Sequence, residues 1–162
     1  MATPTQPVSD VAQLASHELR AWRGLLRAHA ALTKALDAEL EAAHGLPLTS
    51  YEVLLHLNET SGAAMRMCDL ATSVILSRSG LTRLVDRLER EGLVERRSCP
   101  QDARGSFAVL TERGRERLQA ARATHLAGVR ALFLTRFSDA ELDQLGGFLE
   151  RVVGPSDGSC GC

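Results

Sequence analysis

No stretch of this chain approaches the roughly 18 consecutive apolar residues that a membrane span requires. The opening MATPTQPVSD has neither the charged nor the apolar region of a signal peptide, so a cytoplasmic protein without membrane contact is expected. Cysteine is scarce: positions 68, 99, 160 and 162 are the four, and in a reducing compartment they supply no disulfide framework. There is no H-E-x-x-H pair, no Walker lysine loop and no dinucleotide fingerprint, so positive support for catalysis is missing and no enzyme is expected. His17, His29, His44, His56 and His125 show no tight ligand spacing, and neither a metal nor another cofactor is expected. A marked excess of positive charge is missing too, with a formal net charge of −1 and a pI near 6.5.

The overall balance hides a local one. From Ser77 to Arg104 seven arginines stand against five acids, while acids elsewhere restrain unspecific adhesion to phosphate. The 162 residues suit one domain with an ordinary core. Residues 1–10, with Pro4 and Pro7, read as a flexible arm and 154–162 as a frayed tail. Between them, apolar residues at Val11, Leu14, Leu19, Trp22, Leu25, Leu26, Leu32, Leu36 and Leu40 follow a helical period that Gly45 ends. Such a helix is too long for a domain of this size to cover alone, so part of its stripe needs a partner.

Thr49-Ser50-Tyr51-Glu52 reads as a capping box opening a second helix with Val53, Leu54 and Leu57. Met67, Leu70, Ala71 and Val74 mark a short third helix, and a tight connection through Ile75 and Leu76 leads to Ser77, a good N-cap. The fourth helix runs from about Arg78 to Glu91 and stops at Gly92. Its Leu81, Leu84, Val85 and Leu88 share one face. On the other side lie Ser79, Thr82, Arg83, Asp86 and Arg90, hydrogen-bonding side chains with nothing to bond inside the domain. Residues 93–98 and 106–110 read as strands joined by CPQDARG, whose Pro100, Asp102 and Gly105 are turn formers. Thr111 caps a long helix with a stripe from Leu118 through Phe137, and Ser138 to Glu141 is a second capping box opening the last helix. The expected class is mainly α with a small β-hairpin, in the order α-α-α-α-β-β-α-α.

A helix ending in a strand pair with an Asp-x-Arg tip is the order a winged helix uses. The major groove admits one helix, and short polar side chains and arginine read base edges there. Ser79, Thr82 and Arg83 are such residues near a helix start. Ser77, Arg78 and the free N–H groups at that end suit phosphate, and Arg87 and Arg90 suit the backbone or solvent. Asp102 sits two residues before Arg104 and can aim its guanidinium into a narrow minor groove.

SRSGLTRLVDRLEREGLVERR and PQDARGSFAVLTERG resemble the recognition-helix and wing patterns of the MarR family of dimeric winged-helix transcription regulators, over about Leu25 to Val153. The resemblance implies that Ser77, Arg78, Ser79, Thr82 and Arg83 face the major groove and Arg104, beside Gly105, the minor groove, with Asp102 bracing the wing. It implies a winged helix-turn-helix lobe at 46–110 and dimerisation helices at 11–45 and 111–153, within a domain spanning 11–153. It also implies a homodimer on a pseudo-palindromic operator of double-stranded DNA, acting as a repressor and released by a small aromatic or anionic molecule. Trp22, His29, Tyr51 and His56 are candidates to line that ligand site, and Trp22 resembles the first-helix tryptophan of the urate-responsive branch. Trp22 reads more readily as a dimer-interface core residue, since aromatic side chains dominate such interfaces. Two other readings stay open: a winged-helix protein-interaction module without specific DNA binding, and a thiol-based redox sensor using Cys68 or Cys99. Cys160 and Cys162 would make only half a zinc site.

Overall fold

A computed structural model describes residues 14–74, 76–99 and 102–154, with the side chains of 99 and 102–105 outside the description. The expected arm at 1–10, Val11, Ile75, Pro100 and the tail beyond 154 also lie outside it. The chain order is α1 (Ser16–His44), α2 (Leu48–Glu59), β1 (Ala64–Arg66), α3 (Met67–Ser73), α4 (Arg78–Arg90), β2 (Val94–Cys99), β3 (Asp102–Leu110), α5 (Glu112–Leu132) and α6 (Asp139–Val153). Single 3₁₀ turns at Ser61–Ala63 and Leu134–Arg136 complete it.

The mainly helical class and the helix order are as the sequence indicates, with one addition. β1 is a three-residue strand that pairs antiparallel with β3, Met65 opposite Ala108, giving a sheet of order β1-β3-β2. Its three residues are too few to show an alternating pattern.

The core lies where α2, α3, α4 and the sheet meet the middle of α5. Leu54, Leu57, Leu70, Val85, Leu88, Ala108 and Ala121 have no exposed surface, and each large apolar side chain so buried stabilises by about 1.5–3 kcal/mol before entropy is counted. α1 joins this core only through its second half, at Leu36 and Leu40. The first half leaves Trp22, Leu25 and Leu26 exposed, with Leu14 exposed just ahead of the helix. A helix of 29 residues is about 43 Å long at 1.5 Å per residue, and the surplus stands clear of the core. α6 has no buried residue.

Two glycines let α5 approach closely. A Cβ on Gly114 would stand 2.1 Å from the Leu93 carbonyl oxygen, and one on Gly128 would stand 2.4 Å from Glu39 Oε2 and 2.8 Å from Leu36 Cδ2. The first locks α5 to the end of α4 and the start of the sheet; the second brings it against α1.

Three local expectations change. Thr49 does not cap α2: the helix starts at Leu48, with Pro47 before it and no side-chain cap of its own. The Leu48 N–H instead donates to Asp37 Oδ1 of α1 at 2.8 Å, a cap supplied by another helix. The hairpin connection is shorter than CPQDARG, because Cys99 pairs with Asp102 and β3 includes Asp102 to Gly105. The register jumps there, since Ser98 faces Ser106 and Cys99 faces Asp102. Phe133 and Phe137 fall outside α5, which ends at Leu132, and their rings stack 5.3 Å apart around the 3₁₀ turn. The Thr111 cap and the Ser138–Glu141 box form as expected, through Gly114 N–H to Thr111 Oγ1 at 3.0 Å and Ser138 N–H to Glu141 Oε2 at 2.8 Å.

Candidate nucleic-acid interface

Ser77 accepts the Gly80 N–H at 3.1 Å and sets the start of α4. The Leu76 N–H donates to the Ala71 carbonyl at 3.0 Å, so the end of α3 and the start of α4 are joined by a tight bonded turn. Leu81, Leu84, Val85 and Leu88 are buried, which fixes the rotation of α4 and leaves Ser77, Arg78, Ser79, Thr82 and Arg83 exposed together on its first turns. The hydroxyls of Ser77 and Ser79 lie 3.3 Å apart, and Thr82 Oγ1 donates to the Arg78 carbonyl at 2.8 Å while keeping its acceptor capacity.

The arginines divide into two groups. Arg87 Nη2 donates to Ser50 at 2.7 Å, a hydroxyl buried under α2, and its Nε is 4.0 Å from Glu91. Arg90 Nε donates to the Asp86 carbonyl of its own helix. Arg97 pairs with Glu95. Arg96 bonds Asp86 at 2.6 Å and Glu89 at 2.9 Å. Asp86 and Arg90, expected to find no partner inside the domain, therefore each have one. Among the described residues, Arg78 and Arg83 are exposed and tied to no neighbour. Arg78 opens the first turn of α4, where the free N–H groups and the helix dipole favour an anion, and Arg83 stands in the second turn.

Asp102, Arg104 and Gly105 sit on the first half of β3, beside the 98/99 register jump. The backbone thus carries Arg104 at the distal end of the sheet, away from β1, which pairs farther along at Phe107 to Val109. Their side chains lie outside the described residues.

The four ligand candidates lie in different surroundings. Trp22 is 54% exposed on the free half of α1, whereas Tyr51 is buried, its ring 4.5 Å from that of His125 on α5. Burial raises the Tyr51 pKa, and the same burial lowers that of His125, whose Nδ1 is enclosed without a hydrogen-bond partner. His29 and His56 both lie near Glu52, whose carboxyl is pushed up by burial and drawn partly back by the two imidazoles. The open groove of about 670 Å³ between α1 and α5 is lined by Glu39, Ala42, Ala43, Thr124, Ala127, Gly128 and Ala131, and includes none of the four. Among the described residues no cluster of His, Cys, Asp and Glu could hold a metal, and no helix is long and apolar enough to cross a membrane.

The MarR family model matches residues 46–106, the span from the start of α2 into the wing strand β3. AbsC, a MarR family transcriptional regulator from Streptomyces coelicolor, is 37% identical with a TM-score of 0.82, over 88% of this chain and 96% of that one. This chain belongs to the MarR family. Sco3205, a MarR family transcriptional regulator from the same organism solved in complex with DNA, is 33% identical with a TM-score of 0.83, over 92% of this chain and 96% of that one. The uncharacterised HTH-type transcriptional regulator YdgJ of Bacillus subtilis (strain 168) is 31% identical over 94 residues, 56% of this chain and 54% of YdgJ, so the match spans about half of that relative. As a MarR-family protein the chain is a transcriptional regulator. One sequence pattern points the other way: Gly154 to Gly158 spell G-x-S-x-G, the letters of a hydrolase nucleophile elbow. That elbow needs a strand-to-helix turn, whereas Gly154 directly follows the end of α6.

The contribution of Arg96, Asp37 and Ser50 is not apparent from the sequence pattern. Arg96 had a weak signal: it stands in a run of arginines on a strand, which by itself reads as a solvated edge.

Proposed function

We propose that this regulator binds double-stranded DNA sequence-specifically as a homodimer and represses transcription by occupying its operator. The observation that carries this is the pair Arg78 and Arg83. They are exposed on the first turns of α4 beside Ser77, Ser79 and Thr82, and no described neighbour engages them, while the other described arginines from Arg87 to Arg97 are bonded within the fold. Arg83, Ser79 and Thr82 read base edges in the major groove. Arg78, Ser77 and the helix-start N–H groups hold phosphate. Arg104, oriented by Asp102, enters the flanking minor groove.

The second copy is supported by two surfaces. The first half of α1 exposes Trp22, Leu25 and Leu26, with Leu14 just ahead of it, and α6 exposes Phe148, Leu149, Val152 and Val153, and large apolar side chains grouped in this way mark an interaction surface. A two-fold pair presents α4 twice, so the operator is an imperfect palindrome with half-sites about ten base pairs apart. The releasing signal, a small aromatic or anionic molecule, is assigned to the seam of α1, α2 and α5. There Tyr51 packs on His125, and His56 and His29 flank Glu52.

The test is selection of bound duplexes from a random pool, with retained sites re-bound at two salt concentrations. Enrichment of a palindromic motif is the expected result. Binding without a motif, collapsing as salt rises, would leave only phosphate attraction.

A further inference from the structure

β2 is an edge strand, paired only with β3, and its outward backbone N–H groups have no ladder partner. At Arg96 that gap is filled from α4. The Arg96 N–H donates to Glu89 Oε1 at 3.1 Å while its Nη1 donates to Glu89 Oε2 at 2.9 Å, so one carboxylate holds both main chain and side chain. Arg96 Nη2 reaches one turn further back, to Asp86 Oδ1 at 2.6 Å and to the main-chain carbonyl of Thr82 at 3.2 Å. A single guanidinium thus spans α4 from Glu89 to Thr82, and Thr82 belongs to the exposed face with Ser79 and Arg83. Arg97, its neighbour on the same strand, bonds only Glu95 beside it.

We propose that Arg96 is a positioning residue for DNA recognition, the clasp that makes the recognition helix and the wing one rigid reading head. The inference rests on the DNA-reading role of α4. The planar fork suits the task because it offers five donors in fixed directions, and here they meet three acceptors on successive turns of one helix. With the clasp in place, a base contact from α4 and a minor-groove contact from the wing hold a fixed spacing. Without it the described polar link at this junction is the Leu93 N–H to the Leu88 carbonyl at 2.9 Å, beside the buried Val94, and the two contacts are made by parts that move separately. The clasp is partly open to solvent, with Arg96 27%, Asp86 48% and Glu89 41% exposed, so it acts on geometry more than on global stability.

Two substitutions test this, Arg96→Gln on the strand and Asp86→Asn on the exposed side of the helix, each with two readouts. The first is amide hydrogen exchange of the DNA-free protein; the second is the ratio of affinities for the selected duplex and a scrambled one. The expected result is exchange at 86–98 faster by roughly tenfold, within the range for coupled neighbours, with the thermal midpoint nearly unchanged. The selected-to-scrambled ratio falls by a similar factor while binding to the scrambled duplex changes little. The second substitution adds little to the first when combined. Unchanged exchange would overturn the clasp, and faster exchange with an unchanged ratio would overturn its role in recognition. If the wild-type protein itself fails to prefer the selected duplex, the DNA-reading role fails at that control, and this inference falls with it before any variant is compared.

Discussion

Ser77 and His125 show how single side chains set local order with opposite chemistry. Ser77 ends the turn after α3 and accepts the Gly80 N–H. Ser77→Ala should cost about 1 kcal/mol of stability, read in denaturant melts, and should also weaken DNA binding by loosening the first turn of α4. His125 is kept neutral by burial against Tyr51, with its pKa below 6.5 and its Nδ1 unbonded. The unfolded chain therefore binds a proton first on acidification, so this group's contribution to stability is present above about pH 6.5 and is lost as pH falls through the lowered folded value. Glu52, on the same helix as Tyr51, acts in the opposite sense nearer its ordinary 4.5, because its raised pKa lets the folded state take up protons first. The thermal midpoint should drop between pH 7 and 5.5, and His125→Phe should flatten that slope. An unchanged slope would mean that His125 is not the group being titrated.

Among the elements, those whose contacts are local in sequence were legible, and those made by distant partners were not. The stripe Leu81, Leu84, Val85, Leu88 and the stop at Gly92 define α4 from sequence alone, and all four side chains are buried. Ser138 and Glu141 lie three residues apart and form their box. Thr49 and Glu52 have the same spacing, yet Asp37, 11 residues back, reaches Leu48 first and the helix starts two residues earlier than a Thr49 cap would set it. Nothing local announces that competition. β1 exists only because β3 offers an edge, and Arg96 looks like a solvated strand arginine until Asp86 and Glu89 are placed opposite it. The exposed side of α4 could be read because burial of one helix face dictates what the other exposes. A ligand site is not legible in that way, since a pocket is made by several elements at once. At this scale Leu88→Ala should cost about 2–5 kcal/mol in denaturant melts. Gly114→Ala, whose methyl would press on the Leu93 carbonyl, should cost about 1–3 kcal/mol, with DNA affinity falling at temperatures where the fold is still intact. A neutral Gly114→Ala would show that α5 can shift away from the wing without harm.

In the whole molecule, a core shared by α2 to α5 carries two apolar surfaces that it does not use. A helix about 43 Å long buried over only its second half and a last helix with nothing buried point to a second copy of the chain. Replacing Trp22 and Phe148, both 54% exposed, by serine should shift sedimentation toward the monomer and weaken operator binding more than either change disturbs the melt. A monomeric wild-type chain at micromolar concentration would contradict this arrangement. In the proposed dimer each copy would contribute few base contacts, and specificity would come from holding two at a fixed distance. The central claim is that Arg83 reads a base rather than a phosphate. The direct measurement is the affinity of wild type and Arg83→Ala for the selected duplex and for every single-base change within one half-site. A loss of roughly 1–3 kcal/mol is expected, with discrimination erased at one position and kept at the others. Equal weakening on all duplexes, selected and altered alike, would contradict it.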